Sequence, residues 1–177
     1  MKFSQKMMSV AAGIALVAGL GAAGAAPAIA ADKVTGKTVI SFKKDLAPVV
    51  KGIAVVAPAK KSTNPPQISF PVTGDAGIGV QHSGAIKIGT VEASNPQIIF
   101  GEKKVEVVFT VGDKEYPLFY IKKWKQTEES KKKQVWRGFL HVTDNAEIVQ
   151  LLNSAAGARV FEPGLGLGQI KTTINTK

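Results

Sequence analysis

Apolar and polar residues alternate with a period of two over several short stretches of this chain. The clearest stretch is 105–111, where the odd positions hold Val, Val, Phe and Val. The Gly-Asp-Lys sequence at 112–114 favours a tight turn, and residues 115–124 then resume the alternation. Because a strand turns successive side chains to opposite faces, this pattern predicts a β-hairpin.

Other short apolar stretches lie between clusters of Gly, Pro, Ser and charged residues. They predict further strands at residues 39–42, 53–56, 67–72, 80–88, 98–100, 134–142 and 169–174. The segments 57–66 and 126–133 are predicted loops. Many short strands separated by turns are typical of an antiparallel β-sandwich or a partly open barrel, rather than of alternating β-α units.

Two short helices complete the predicted fold. Residues 45–52 end in a glycine, which suits one or two helical turns. Residues 145–153 carry an apolar side, and Asp144 can cap this helix with Glu147 in the capping-box position. Gly157 lies just beyond its end. The predicted fold class is therefore mainly β, with one or two short helices.

The second strand of the hairpin leaves its buried face undecided. Tyr116, Tyr120 and Trp124 share one face of a regular strand, and Phe119 and Ile121 share the other. If Phe119 and Ile121 fill the core, the other three form an exposed aromatic stripe that could hold a ligand. If the tyrosines point inward, they are core residues with hydrogen-bonded hydroxyl groups.

The first thirty residues have a different pattern. Lys2 and Lys6 precede a long uncharged stretch, which ends in an Ala-x-Ala site at Ala28 and Ala30. These features predict a secretory signal peptide that is cleaved after Ala30. The alternative is an uncleaved membrane anchor. Against it, the stretch is rich in Gly and Ala where a durable anchor would use Leu, Ile and Phe.

The predicted organisation is a signal peptide at residues 1–30, a flexible lead at 31–36 and a single β-rich domain at 37–177. We expect a secreted or cell-envelope protein with no transmembrane span after cleavage, because no later stretch is long and apolar enough. The sequence contains no Cys. The core must therefore stabilise the domain without disulfide bonds.

Basic residues dominate the charge of the chain, which has a formal net charge of +10. They cluster around the second hairpin, at Lys122, Lys123, Lys125, Lys131, Lys132, Lys133 and Arg137. Such a cluster could bind anionic envelope polymers. The alternative is a solvated loop whose Lys residues protect a sheet edge from aggregation. Because Lys lacks the planar fork suited to bases and phosphates, we expect no nucleic-acid partner.

Catalytic and metal-binding motifs are not found in the sequence. The only imidazoles are His82 and His141, no G-x-S-x-G motif occurs, and the adjacent acids Glu128 and Glu129 lie in a predicted loop. Nucleophilic and paired-carboxylate hydrolysis both need their groups held in one cleft. Two His without Cys or an acidic cluster also fall short of a zinc site. We therefore predict a binding protein rather than an enzyme, with no catalytic residues and no metal site.

Three short motifs resemble a known family. They are ISFPVTG at residues 68–74, QHSGAI at 81–86, and an end at 152–168 that begins with LN and finishes with FEPGLGLG. Together they are similar to small exported actinobacterial proteins that resemble the Htaa haem-binding domain. The resemblance implies a β-rich fold, a place in the cell envelope and haem as a candidate cofactor.

Haem-binding Htaa domains use a Tyr axial ligand supported by a His, usually with the Tyr in the first element. His82 matches the His-Ser-Gly motif, but the first element here has Phe42 and Leu46 and no Tyr. The family's Tyr ligand thus has no matching position here. The candidate haem contacts are His82, from the motif match, and Tyr116 and Tyr120, from the possible aromatic stripe, although His82 can equally be a hydrogen-bonded turn histidine. The leading hypothesis is an exported envelope module that binds haem or a similar small hydrophobic ligand. Its rival is an envelope-associated interaction protein that the Lys-rich hairpin holds to anionic polymers.

Overall fold

A computed structural model describes residues 34–75 and 79–175 of the chain. The predicted signal peptide lies outside the described residues. The strands are β1 (Thr35–Phe42), β2 (Ala54–Val56), β3 (Lys60–Thr63), β4 (Pro66–Asp75), β5 (Gly79–His82), β6 (Ala85–Ile88), β7 (Val91–Phe100), β8 (Val105–Val111), β9 (Lys114–Ser130), β10 (Lys133–Val142) and β11 (Gly166–Asn175). The helices are α1 (Ala47–Gly52) and α2 (Ala146–Ala156), and a 3-10 turn at Lys44–Leu46 precedes α1.

Eight of the strands close into a barrel. They follow the order β7, β5, β4, β1, β11, β10, β9 and β8, and β8 pairs back with β7. All these pairings are antiparallel. Three further strands lie outside the ring: β6 pairs with β7, β2 with β6, and β3 with β4. The predicted β-rich fold with short helices is confirmed, and the barrel is closed rather than partly open.

The two ends of the barrel are filled in different ways. At the helical end, where β1 and β10 finish, α1 and α2 follow those strands and bury Val50 and Leu152. At the hairpin end, from which β9 and β10 extend, Trp124 and Trp136 stack with ring centroids 5.8 Å apart. Phe100 packs against both rings. Within the described ranges, neither helix is long and apolar enough to cross a bilayer.

Two predicted loops contain strand. Within 57–66, β3 pairs with the start of β4, so this segment adds a strand outside the ring. Within 126–133, β9 continues to Ser130 and β10 begins at Lys133, which leaves only a turn at Lys131 and Lys132. Polar sequence concealed both strands, because their side chains are mostly exposed and show no apolar alternation.

The cap of α2 differs from the prediction. Asn145 is the N-cap, and its side-chain oxygen accepts hydrogen bonds from the backbone N–H groups of Glu147 and Ile148. Asp144 instead forms an ion pair with Lys104. Gly157 is the C-cap with φ of 64°, and the helix extends to Ala156, beyond the predicted end at Asn153. Asn and Asp are similarly good N-caps, so the sequence alone does not choose between adjacent residues of these types.

Candidate functional site

His82 lies inside the barrel at the end of β5 and is 5% exposed. Its Nδ1 is 2.9 Å from the carbonyl oxygen of Pro96, which can only accept, so Nδ1 carries the proton. Its Nε2 is 2.6 Å from the hydroxyl of Thr38 and therefore accepts from it. The Thr38 oxygen in turn accepts from the hydroxyl of Thr172, 2.7 Å away.

This network determines what His82 can do. Burial lowers the pKa of His82 from 6.5 to about 4, and the hydrogen bond to the Pro96 carbonyl opposes that effect only in part. The imidazole is therefore neutral near pH 7. Both ring nitrogens have partners, so His82 offers no lone pair to a ligand unless the network breaks. His82 is thus a hydrogen-bonded core residue of β5, rather than a residue of a turn.

Tyr116 and Tyr120 do not share a face of β9. Tyr116 lies opposite Phe109 and Tyr120 lies opposite Glu106, and these two positions of β8 are an odd number of residues apart. Between them the register shifts, and Leu118 has no directly opposite partner. Such a β-bulge adds one residue to a strand and thereby exchanges its two faces. The predicted common face is therefore wrong.

The alternative in which Phe119 and Ile121 fill the core holds only in part. Phe119 and Ile121 are buried in the core, and the Phe119 ring meets Phe109 edge-on at a centroid distance of 5.9 Å. A second register shift follows near Lys123, whose φ is 52°. Beyond it, Trp124 stacks on Trp136 at the hairpin end. No aromatic stripe runs along the described length of this strand.

Tyr120 belongs instead to a group on the outer face of the barrel. It lies opposite His141 of β10, and the two rings stack with centroids 5.3 Å apart and 22° between their planes. The Nζ of Lys104 is 4.1 Å from the Tyr120 ring centroid, and the Nζ of Lys122 is 5.5 Å from it. Although it faces outward, Tyr120 is therefore only 6% exposed.

One ring nitrogen of His141 has no hydrogen-bond partner among the described residues. Its Nδ1 is 3.0 Å from the carbonyl oxygen of Gly164, so the neutral ring carries its proton there and has its lone pair on Nε2. Among the described residues, no hydrogen bond engages Nε2 of His141 or the hydroxyl of Tyr120. Metal-binding imidazoles are commonly oriented by such a bond from the opposite nitrogen. His141 is thus equipped to bind a metal or to accept a hydrogen bond.

Two glycines keep the space around these rings open. A Cβ at Gly166 would lie 3.3 Å from His141 Cε1 and 3.3 Å from Lys43 Nζ. A Cβ at Gly164 would lie 3.6 Å from the Tyr120 hydroxyl. Because neither glycine has a side chain, only backbone occupies these two positions between the rings and the neighbouring Lys43. We name it the Tyr–His surface, and it consists of Lys43, Lys104, Tyr120, Lys122, His141, Gly164 and Gly166.

The Tyr–His surface carries positive charge. Lys104 pairs with Asp144 at 3.2 Å, but the pair is solvent-exposed and therefore weak. None of the ion pairs among the described residues includes Lys43 or Lys122. The described chain has no group of three His, Cys, Asp or Glu that could hold a bare metal ion.

The barrel interior contains a small cavity. An apolar cavity of about 30 Å³ lies at the helical end, where α1 meets inward side chains that include Phe109, Phe119 and Leu140. A single water molecule needs about 10–15 Å³. The cavity therefore has space for a few water molecules and not for a macrocycle.

The basic residues predicted at the hairpin lie along two parts of it. Lys122, Lys123, Lys125 and Arg137 are exposed along the part of the hairpin nearest the Tyr–His surface. The other three lie at the tip, where Lys133 is paired with Glu128 at 2.9 Å.

Sequence reasoning treated His141 only as a candidate catalytic base. Its partnership with Tyr120 depends on a strand register that the sequence pattern does not reveal.

No protein-family model and no curated protein sequence matches this chain. Among solved structures, the chain resembles haem-binding protein HtaB from Corynebacterium glutamicum, with a TM-score of 0.61, 13% identity and coverage of 82% of this chain and 94% of that one. It also resembles the C-terminal domain of HtaA from the same organism, with a TM-score of 0.56, 13% identity and coverage of 82% and 99%. The resemblance that the sequence motifs indicated is thus confirmed at the level of the fold. In its fold, this chain is similar to HtaB and to the C-terminal domain of HtaA.

Proposed function

We propose that this domain binds haem, or a similar planar hydrophobic ligand with carboxylate groups, at the Tyr–His surface. The observation that carries the proposal is His141, whose Nδ1 is held by the Gly164 carbonyl while Nε2 keeps a lone pair. The fold similarity to HtaB, which is described as a haem-binding protein, supports the choice of ligand.

The residues of the Tyr–His surface fit the chemistry of haem. A bound haem would supply an iron that takes a donor atom from the protein. His141 would be the first candidate donor, and the hydroxyl of Tyr120 would be the second donor within the group. Lys43, Lys104 and Lys122 would pair with the propionates. The cavity inside the barrel does not fit, because about 30 Å³ is far too small for the macrocycle.

The proposal revises the set of candidate contacts predicted from the sequence. Tyr120 remains a contact, and His141 takes the place of His82. His82 is engaged at both nitrogens within the barrel, and Tyr116 lies opposite Phe109 rather than on the face of Tyr120. Their roles in this proposal are to stabilise the barrel that carries the site.

We place this activity outside the cytoplasm, in a binding module rather than an enzyme. The predicted signal peptide at 1–30 motivates that placement, since it precedes the β-rich domain, whose first strand begins at Thr35, within the predicted lead at 31–36. Mass spectrometry of the exported protein tests it directly. An N-terminus at Ala31 supports the placement, and retention of the whole leader by cells contradicts it.

The test of ligand binding is a titration of the purified protein with haemin, followed by the Soret absorption. We expect saturation at one haem per chain and a spectrum that changes in the variant His141→Gln. Tyr120→Phe distinguishes the two donors, because it keeps the stacked ring and removes only the hydroxyl. His82→Gln is the matched control, since it changes an imidazole outside the site. Absence of a Soret shift in the unmodified protein, or a loss confined to His82→Gln, would contradict the proposal.

A further inference from the structure

Three cations lie directly opposite one another on the outer face of the barrel. In the register of adjacent strands, Lys125 of β9 faces Arg137 of β10, and Arg137 faces Lys171 of β11. Directly opposite residues of antiparallel strands point to the same side of the sheet. All three side chains are exposed. The barrel therefore presents an uninterrupted row of positive charge across three strands.

No member of this row has an ion-pair partner among the described residues. The described ion pairs join Lys87 to Glu92, Lys104 to Asp144 and Lys133 to Glu128, and none includes a member of the row. Like charges placed directly opposite each other destabilise a sheet. The arrangement therefore opposes folding, and an external anion would relieve the repulsion.

An exposed aromatic side chain lies beside the row. Phe139 is 44% exposed and is the exposed large hydrophobic residue of the described chain. It follows Arg137 by two positions on β10, so it shares that face, and it lies opposite Lys122 of β9. The Nζ of Lys123 is 5.9 Å from its ring centroid. Phe139 is thus an apolar residue with cations around it.

We propose that this face docks onto an anionic lipid bilayer, with Phe139 in the interfacial region and the cations against the lipid phosphates. The cationic face comprises Lys122, Lys123, Lys125, Arg137, Phe139 and Lys171. A soluble polyanion would neutralise the Lys and Arg residues but would leave Phe139 in water. A bilayer surface accommodates both kinds of group, because its headgroups carry the negative charge above an apolar layer.

The cationic face shares Lys122 with the Tyr–His surface, but it can be tested at residues that belong to the cationic face alone. Lys125, Arg137 and Lys171 are not part of the Tyr–His surface, so their replacement leaves His141 and Tyr120 unchanged. The tip residue Lys133 is already paired with Glu128. The docking proposal therefore does not depend on haem binding, nor on the tip of the hairpin.

The experiment is co-sedimentation of the purified protein with vesicles of phosphatidylglycerol and phosphatidylcholine, compared with phosphatidylcholine alone. We expect binding only to the anionic vesicles and a steep decrease with added salt. A Lys or Arg near such a surface contributes about fivefold in affinity, so the triple variant K125Q/R137Q/K171Q should bind about a hundredfold more weakly. Its melting temperature should not fall, because the substitutions remove repulsion.

Two controls separate the docking face from general charge attraction. The triple variant K51Q/K60Q/K114Q removes the same charge from exposed positions elsewhere and should retain most of the binding. F139S should weaken binding to vesicles and leave binding of soluble polyphosphate unchanged. Equal losses in both triple variants would overturn the proposal. Equal binding to both vesicle types would also overturn it. So would a result in which the protein binds polyphosphate as tightly as vesicles and F139S has no effect on either.

Discussion

Thr38 and His82 are 44 residues apart in the sequence, and their side chains form a 2.6 Å hydrogen bond inside the barrel. The two residues belong to β1 and β5, which flank β4 in the ring. Thr172 continues the network on β11, on the other side of β1. One line of polar side chains thus connects strands from both halves of the sequence, within a core that is otherwise largely apolar.

Thr38→Val should destabilise the barrel. The substitution nearly conserves volume, but it leaves Nε2 of His82 without a donor and the hydroxyl of Thr172 without an acceptor. A buried polar group that loses its partner costs about 1–3 kcal/mol. Urea denaturation measures the free energy of unfolding, and Thr38→Ser is the matched control because it retains the hydroxyl. A valine variant more stable than the serine variant would contradict this account of the network.

Acid should destabilise the protein through His82. Burial lowers the pKa of His82 to about 4 in the folded protein, from the ordinary value of 6.5 for an exposed imidazole. The unfolded chain therefore binds a proton more readily between these pH values, and stability falls as pH falls through that window. The contribution is fully present above pH 6.5, and about 3 kcal/mol is lost by pH 4.

The carboxylates also titrate in acid, so the pH prediction needs a comparison. His82→Gln keeps a donor and an acceptor but has no titration of its own. Denaturation curves recorded between pH 7 and pH 4 should show the unmodified protein losing more stability than this variant. Parallel curves for the two proteins would show that protonation of His82 does not limit the stability of the fold.

Local sequence patterns were sufficient for much of this fold. The alternation at 105–111 and the turn after it correctly predicted the hairpin of β8 and β9, and Gly157 correctly marked the end of α2. These features depend on neighbouring residues only. Closure of the ring was not predictable from local patterns. It depends on β7 pairing with β8 on one side and with β5 on the other, and nothing in the sequence of a strand indicates which partners it has.

The candidate site was harder to predict for a related reason. A β-bulge has no reliable sequence marker, and the two register shifts in β9 move Tyr116 and Trp124 away from the face of Tyr120. The stacking of Tyr120 on His141 depends on that register. The motif containing His82 was visible in the sequence, but its buried position became clear only when Thr38 was brought beside it.

Gly166→Val should weaken haem binding without unfolding the protein. The added side chain starts 3.3 Å from both His141 Cε1 and Lys43 Nζ, so it crowds the imidazole that would hold the haem. If displacement of the imidazole costs more than about 1.4 kcal/mol of binding free energy, the affinity for haemin falls at least tenfold. The position lies in β11, where a β-branched residue is well suited to the backbone. A Soret titration together with a thermal melt tests both parts, and an unchanged affinity would place the ligand elsewhere.

Gly138→Ala should destabilise the hairpin end of the barrel. Its Cβ would lie 3.1 Å from Trp124 Cε3 and would overlap Cγ2 of Ile121 and approach the carbonyl oxygen of Lys122. Both side chains are confined, since Ile121 is buried and Trp124 is stacked on Trp136. Overpacking of this kind costs about 1–3 kcal/mol.

The matched control for Gly138→Ala is Gly52→Ala at the end of α1, where the new Cβ meets nothing within 4 Å. That change should be neutral or slightly stabilising, because it reduces the entropy of the unfolded chain. Chemical denaturation gives the free energy of both variants, and near-ultraviolet circular dichroism reports the packing of the tryptophans. If Gly138→Ala were as stable as Gly52→Ala with an unchanged tryptophan signal, the backbone at Gly138 would not be what allows Trp124 to pack against Trp136.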